Sequence, residues 1–271
     1  MKYPPRVVRG KMKRHEAPLI RWQGATDRKG QVTEEFIIEV PDRGLVTGAL
    51  WQARVEQHST LVCMGHGASG NRYQAPISEL AIRFSQELGV PVLSLDGPVH
   101  GLRQQGNGGR EAFFPHYQRA ECIAEMLEDW NIAISSAIHH LAQPIDDLAY
   151  FGLSMGSIFG IPLIASRQDF KVAAIGLIGS REDALHGNEI LDAAQQTRCP
   201  VLFLMQLEDE LFDRGSCLNV FDRLASTDKH LHANPGLHPQ IPAEEIDYTY
   251  QFIARHIAGT AQPKILDPIA E

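Results

Sequence analysis

Several things that would anchor, staple or load a chain are missing from this sequence. No apolar run approaches the roughly 20 residues needed to span a bilayer, so no membrane helix is expected. No apolar stretch opens the chain as a secretory signal would, and the expected compartment is the cytoplasm. Cys63, Cys122, Cys199 and Cys217 lie far apart with no Cys-x-x-Cys, which reads as free thiols rather than a disulfide framework. Internal repeats and low-complexity segments are absent. Gly106-Asn107-Gly108-Gly109 lacks the Lys-Ser/Thr of a phosphate loop and opens no helix after a strand, so nucleotide binding is not expected. His139-His140 has no third ligand in view, and no metal is expected.

What is present fits one α/β domain. The chain has 271 residues, ample for a buried core, and 44% of them are apolar. Its net charge of −8 is uneven: residues 1–33 hold nine Lys or Arg against two acids, or +7, which leaves −15 for the rest. A basic arm raises the question of nucleic acid, but its only aromatics are Tyr3 and Trp22 and it precedes an acidic body. Residues 1–33 are therefore read as a basic extension that packs on its own acidic domain or on a neighbouring subunit of a homodimer. Residues 34–260 form the expected catalytic domain, and 261–271 a C-terminal tail. No nucleic-acid or membrane partner is expected.

Along the chain, Gln31 to Val40 and Leu45 to Ala53 read as a hairpin around Pro41-Asp42-Arg43-Gly44. Leu61 to Met64 and Val90 to Leu95 are short apolar strands separated by a helix from about Ala75 to Leu88. Residues 97–115 read as a long glycine-rich loop, and long loops in compact domains are usually functional. From about Tyr117 to Leu141 apolar residues recur at helical spacing. Lys171 to Gly179 is a strand, 182–197 a helix, and Pro200 to Met205 another buried strand. Ser216 to Ala225 and Glu244 to Ala258 are the last helices. This alternation predicts a mostly parallel sheet of about eight strands, covered on both faces and led by an antiparallel hairpin.

The most informative stretch is Ala149-Tyr150-Phe151-Gly152-Leu153-Ser154-Met155-Gly156-Ser157, which continues into Ile158-Phe159-Gly160-Ile161. Gly-x-Ser-x-Gly between an apolar strand and an apolar helix predicts a sharp turn that lifts a serine hydroxyl off the sheet edge. It leaves the next backbone N–H, that of Met155, free to bind an anion. Upstream, Gly65-His66-Gly67-Ala68-Ser69-Gly70 follows an early strand. Such a loop can supply a second N–H, from Ala68 or less naturally Ser69. Downstream come Glu208-Asp209-Glu210 and then Pro235-Gly236-Leu237-His238, so the order is Ser, acid, His. Ser154 is the candidate nucleophile, with His238 its base and Asp209 the acid that orients it. His232 and Asp183 are the rivals for the last two roles.

These motifs, with Asp96-Gly97-Pro98-Val99-His100-Gly101, resemble the α/β-hydrolase fold over roughly residues 34–258. The resemblance is greatest to its dienelactone-hydrolase-like and small acyl esterase branch. Dienelactone hydrolases carry Cys at the elbow; this chain carries Ser. The resemblance implies a small-molecule ester as substrate, with an amide or thioester as the lesser alternative, hydrolysis through an acyl-enzyme, and no cofactor. It also implies that the space after Gly179 is too short for a large cap domain. The expected pocket therefore favours short acyl groups, with Phe113, Phe114 and Tyr117 as its wall and His66 and His100 beside the substrate. His66, Asp96 and His100 are also natural braces for the loops that carry them. Acyl transfer or C–C bond hydrolysis on the same triad is the alternative chemistry. A non-catalytic binding protein keeping the fold is the alternative of another class.

Overall fold

Strict alternation along the central strands sorts two cores. Leu61, Cys63, Tyr150, Ile175 and Phe203 face one layer; Val62, Met64, Phe151, Ala174 and Leu204 face the other. Side chains on a strand alternate between faces, so a strand buried on both must be apolar throughout. The computed structural model describes residues 19–261 apart from 28, 42, 54, 56 and 142.

Among the described residues nine strands form one sheet: β1 (Leu19–Thr26), β2 (Val32–Val40), β3 (Gly44–Trp51), β4 (Thr60–Gly65), β5 (Val92–Leu95), β6 (Asp147–Leu153), β7 (Phe170–Gly176), β8 (Val201–Gln206) and β9 (Lys229–Asn234). Their order is β1-β2-β3-β5-β4-β6-β7-β8-β9. The first three strands are antiparallel, and β4 through β9 run parallel. Helices α1 (Ile77–Ile82), which runs on into a π-helical turn, and α7 (Ala243–Ile257) cover one face. The opposite layer contains α3 (Cys122–His140), α4 (Met155–Ser166), α5 (Gly187–Ala194) and α6 (Arg214–Arg223). One further helix, α2 (Gly109–Tyr117), lies above the carboxyl ends of the strands, where open α/β sheets bind ligands.

The structure differs from the sequence reading in two places. Residues 19–26, assigned to the basic extension, are the outermost strand of the sheet itself and bring the strand count to nine. Their one charged residue, Arg21, pairs with Glu39 of β2 at 2.7 Å. Residues 1–18 and the tail from 262 lie outside the described residues. Part of the expected loop 97–115 is helical, because Gly108 (φ 67°) and Gly109 (φ 63°) turn the chain just before α2 begins its run. The connection from β7 to β8 holds only α5, in keeping with the absence of a large cap.

Candidate active site

β6 delivers Leu153 to the sheet edge, and the chain then turns sharply into α4. Ser154 sits at the apex with φ 58° and ψ −121°, a backbone state that costs a non-glycine residue about 1–3 kcal/mol. The surroundings hold it there. Its N–H donates to the Gly176 carbonyl at 3.0 Å. Ser157 Oγ accepts the Gly176 N–H at 2.8 Å and lies 2.7 Å from the carbonyls of Gly152 and Gly176. The turn needs glycine on its helical side: a Cβ on Gly156 would lie 2.4 Å from the Gly65 carbonyl oxygen.

Three residues far apart in sequence meet at this apex. Ser154 Oγ lies 2.9 Å from His238 Nε2, and His238 Nδ1 lies 2.8 Å from Asp209 Oδ2. Both partners of the second contact are buried, with side-chain exposures of 4% and 1%. The other Asp209 oxygen accepts the N–H groups of Leu211 and Phe212 at 2.8 and 3.0 Å, so the carboxylate faces the imidazole in one orientation. Neighbouring acids grip the histidine loop. Glu208 accepts the Gly236 N–H, and Glu210 accepts the His238 N–H at 2.8 Å. That N–H holds the Glu210 carboxyl below the usual carboxylate range. The rivals stand elsewhere. His232 hydrogen-bonds Glu245 at 2.9 Å, and Asp183 is exposed and makes no hydrogen bond to His238.

Two backbone N–H groups beside Ser154 have no acceptor among the described residues. Neither Met155 nor Ala68 donates its N–H to any described residue, and both residues line the space beside Ser154. His66 sets the direction of the second. Its Nε2 accepts the Gly97 N–H at 2.8 Å, so the ring proton is on Nδ1 and is donated to the Gly67 carbonyl, also at 2.8 Å. That carbonyl belongs to the peptide unit that carries the Ala68 N–H. His100 bridges the Pro98 and Ala68 carbonyls at 2.6 and 2.9 Å. Fully buried Asp96 accepts from Thr47 Oγ1 at 2.7 Å and from the Arg72 guanidinium at 2.8 Å, tying the loop after β4 to β3 and β5.

His66 is buried, and burial pushes its pKa down from 6.5 to about 4. The ring therefore stays neutral in the folded protein while the unfolded chain takes up a proton as the pH falls from 6.5 towards 4. Stability is lost in that window, by on the order of 3 kcal/mol when the full shift is spanned. Urea unfolding at pH 7 and pH 4.5 should show a drop that is smaller in His66→Asn. An equal drop in both proteins would contradict the burial effect.

Two cavities open on either side of Ser154. The smaller, about 110 Å³, is lined by His66, Ser69, Gln74, His238, Pro239 and Ile241 among others. The larger, about 420 Å³, has walls that include Phe113, Phe114, Tyr117, Ile178, Leu185 and Phe212. Phe113, Phe114 and Tyr117, named from the sequence, thus line this cavity, and Phe113 stacks on Tyr117 at 5.4 Å. His66 also lies at the site. His100 does not: it is buried, lines neither cavity and is engaged with two carbonyls, which corrects its assignment to substrate. Arg110, at the border of both cavities, and the wall from 178 to 190 were not found from sequence. Arg110 carries no motif, and the 178–190 wall lies between strand and helix with no pattern of its own.

The sheet order, the elbow at Ser154 and the site at the carboxyl ends of the strands define the α/β-hydrolase superfamily, and the chain belongs to it as a carboxylesterase-like hydrolase. Among solved structures it is similar to a cold-adapted esterase from an Arctic intertidal metagenomic library. The two are 30% identical over 88% of this chain and 99% of that one, with a TM-score of 0.76. An acetyl xylan esterase from Paenibacillus sp. R4 shares the fold at 14% identity over 88% of this chain and 89% of that one, with a TM-score of 0.64. Est1E from Butyrivibrio proteoclasticus, solved with ferulic acid, shares it at 16% identity over 81% and 98%, with a TM-score of 0.60. No family model and no curated protein matches the sequence. Among the described residues no helix is long and apolar enough to cross a membrane.

Proposed function

We propose that the protein hydrolyses small-molecule carboxylic esters through an acyl-enzyme formed on Ser154. The observation that carries this reading is the unbroken chain of hydrogen bonds from Asp209 through His238 to Ser154 Oγ. His238 Nε2 removes the hydroxyl proton as Ser154 attacks the acyl carbon. The oxyanion that forms is received by the N–H groups of Met155 and Ala68, which have no acceptor among the described residues. His238 then gives its proton to the leaving alcohol oxygen. A water molecule, deprotonated by the same nitrogen, releases the acid and restores Ser154. Asp209 keeps the proton on Nδ1 and stabilises the imidazolium during both steps. The esterase activity named for the structural neighbours agrees with this chemistry. Within the superfamily, the His-Gly loop and the Asp96-to-Gly101 segment favour the dienelactone-hydrolase-like and small acyl esterase branch.

Titration of the acid released from simple esters, together with labelling by a fluorophosphonate, tests the reading. Ester cleavage and a single label on the Ser154 peptide are expected, with the label absent from Ser154→Ala. A folded protein that neither cleaves esters nor takes the label would contradict it and favour a binding protein. Rapid transfer to added alcohols without net acid release would favour an acyltransferase.

A further inference from the structure

We infer that the larger cavity is the acyl site and that the protein prefers esters with a bulky apolar acyl group, medium-chain or aryl, on a small alcohol. The inference rests on the reading of Ser154 and His238 given above. The two cavities differ in which catalytic group they present. In the breakdown of the tetrahedral intermediate the bond between the acyl carbon and the leaving oxygen breaks, and His238 Nε2 transfers its proton to that oxygen. The leaving alcohol must therefore lie against the imidazole. His238 lines the smaller cavity and not the larger one. The alcohol accordingly occupies about 110 Å³ of space bordered by Ser69 and Gln74. The acyl group, on the far side of the same carbon, points past Met155 into about 420 Å³.

The chemistry of the larger cavity suits an apolar chain or ring. Phe113, Phe114 and Tyr117 come from α2, Leu185 from the segment before α5, and Phe212 from the turn after the acid. Only Arg110 and Glu210 bring charge to its lining, and the Glu210 carboxylate already accepts the His238 N–H. A dry cavity of about 150 Å³ holds a benzene molecule, so this volume exceeds what an acetyl group can fill. The short-acyl preference expected from the absence of a large cap is thus replaced: α2 and the 178–190 segment enclose what a cap would otherwise enclose.

Two ester series, followed by titration of released acid, test the assignment. In ethyl alkanoates from acetate to dodecanoate, kcat/KM should rise about fourfold per methylene while each is buried, and by on the order of 100-fold from acetate to hexanoate. It should level off once the chain outgrows the cavity. In alkyl hexanoates from methyl to hexyl, no comparable rise is expected. Leu185 is exposed at the cavity wall, so Leu185→Trp narrows the cavity from a position that tolerates change. It should lower the hexanoate-to-acetate ratio of kcat/KM at least tenfold, and Phe114→Ala, also at an exposed position, should shift the same ratio. A flat or falling acyl series, a rise confined to the alcohol series, or an unchanged ratio in Leu185→Trp would overturn the assignment while fluorophosphonate labelling of Ser154 still stood. Absence of both labelling and turnover would instead overturn the esterase reading, and the acyl site with it.

Discussion

Replacing Ser154 with alanine should lower kcat by on the order of a millionfold while leaving the thermal unfolding profile in place. The size of the effect follows from the way the site is divided. In the proposed mechanism the hydroxyl is the group at the apex of the β6–α4 turn that forms the acyl-enzyme. Without it, His238, Asp209 and the two backbone donors are left with no nucleophile to act on. What remains is a site that can polarise a carbonyl and hold a water, typically worth 10³–10⁴ over solution. The fold is unaffected because, among the described residues, the hydroxyl's hydrogen bond is to His238 alone. Removing it also leaves intact the N–H bond to Gly176 that shapes the turn. Activity within tenfold of the parent would place the nucleophile elsewhere.

Asp209→Asn should lower kcat by about 10⁴, whereas Asp183→Asn should leave it unchanged within error. An amide at 209 can still accept the Leu211 and Phe212 N–H groups that position the acid. If its NH₂ then turns to His238 Nδ1, the imidazole is driven to the tautomer with its proton on Nε2. That nitrogen then has no lone pair for the Ser154 proton. The carboxylate that would have stabilised the imidazolium is also gone. Asp183 stands in the segment before α5, exposed and without a bond to His238. A larger loss at 183 than at 209 would mean that the histidine is oriented from the strand before.

The elbow could be read from the sequence because everything that makes it is local. Strand, turn and helix are contiguous, and the glycines stand where backbones must approach. Gly65, which limits Gly156, is itself in the next motif upstream. Asp209 and His238 could be placed by order along the chain, since each follows a strand at the same end of the sheet. Other features depended on tertiary context. β1 has only every second or third position partly covered and lies in a basic N-terminal stretch, so the sequence did not show its place at the sheet edge. α2 is interrupted by glycines before its start and contains Pro115, and it is a helix because its aromatics pack on Phe159 and His186. The larger cavity was legible only in the three aromatics of α2. Its wall joins α2, the start of α4, the 178–190 segment and the turn after β8, and no spacing rule links those stretches.

The central claim is a covalent acyl intermediate on Ser154. Mixing the protein with a p-nitrophenyl ester, quenching within the first turnover and mapping the acylated peptide by mass spectrometry tests it most directly. One acyl group on the peptide that contains Ser154, formed together with a burst of p-nitrophenol and missing from Ser154→Ala, is the expected result. Product release with no burst and no acylated peptide, or acylation at another residue, would contradict it.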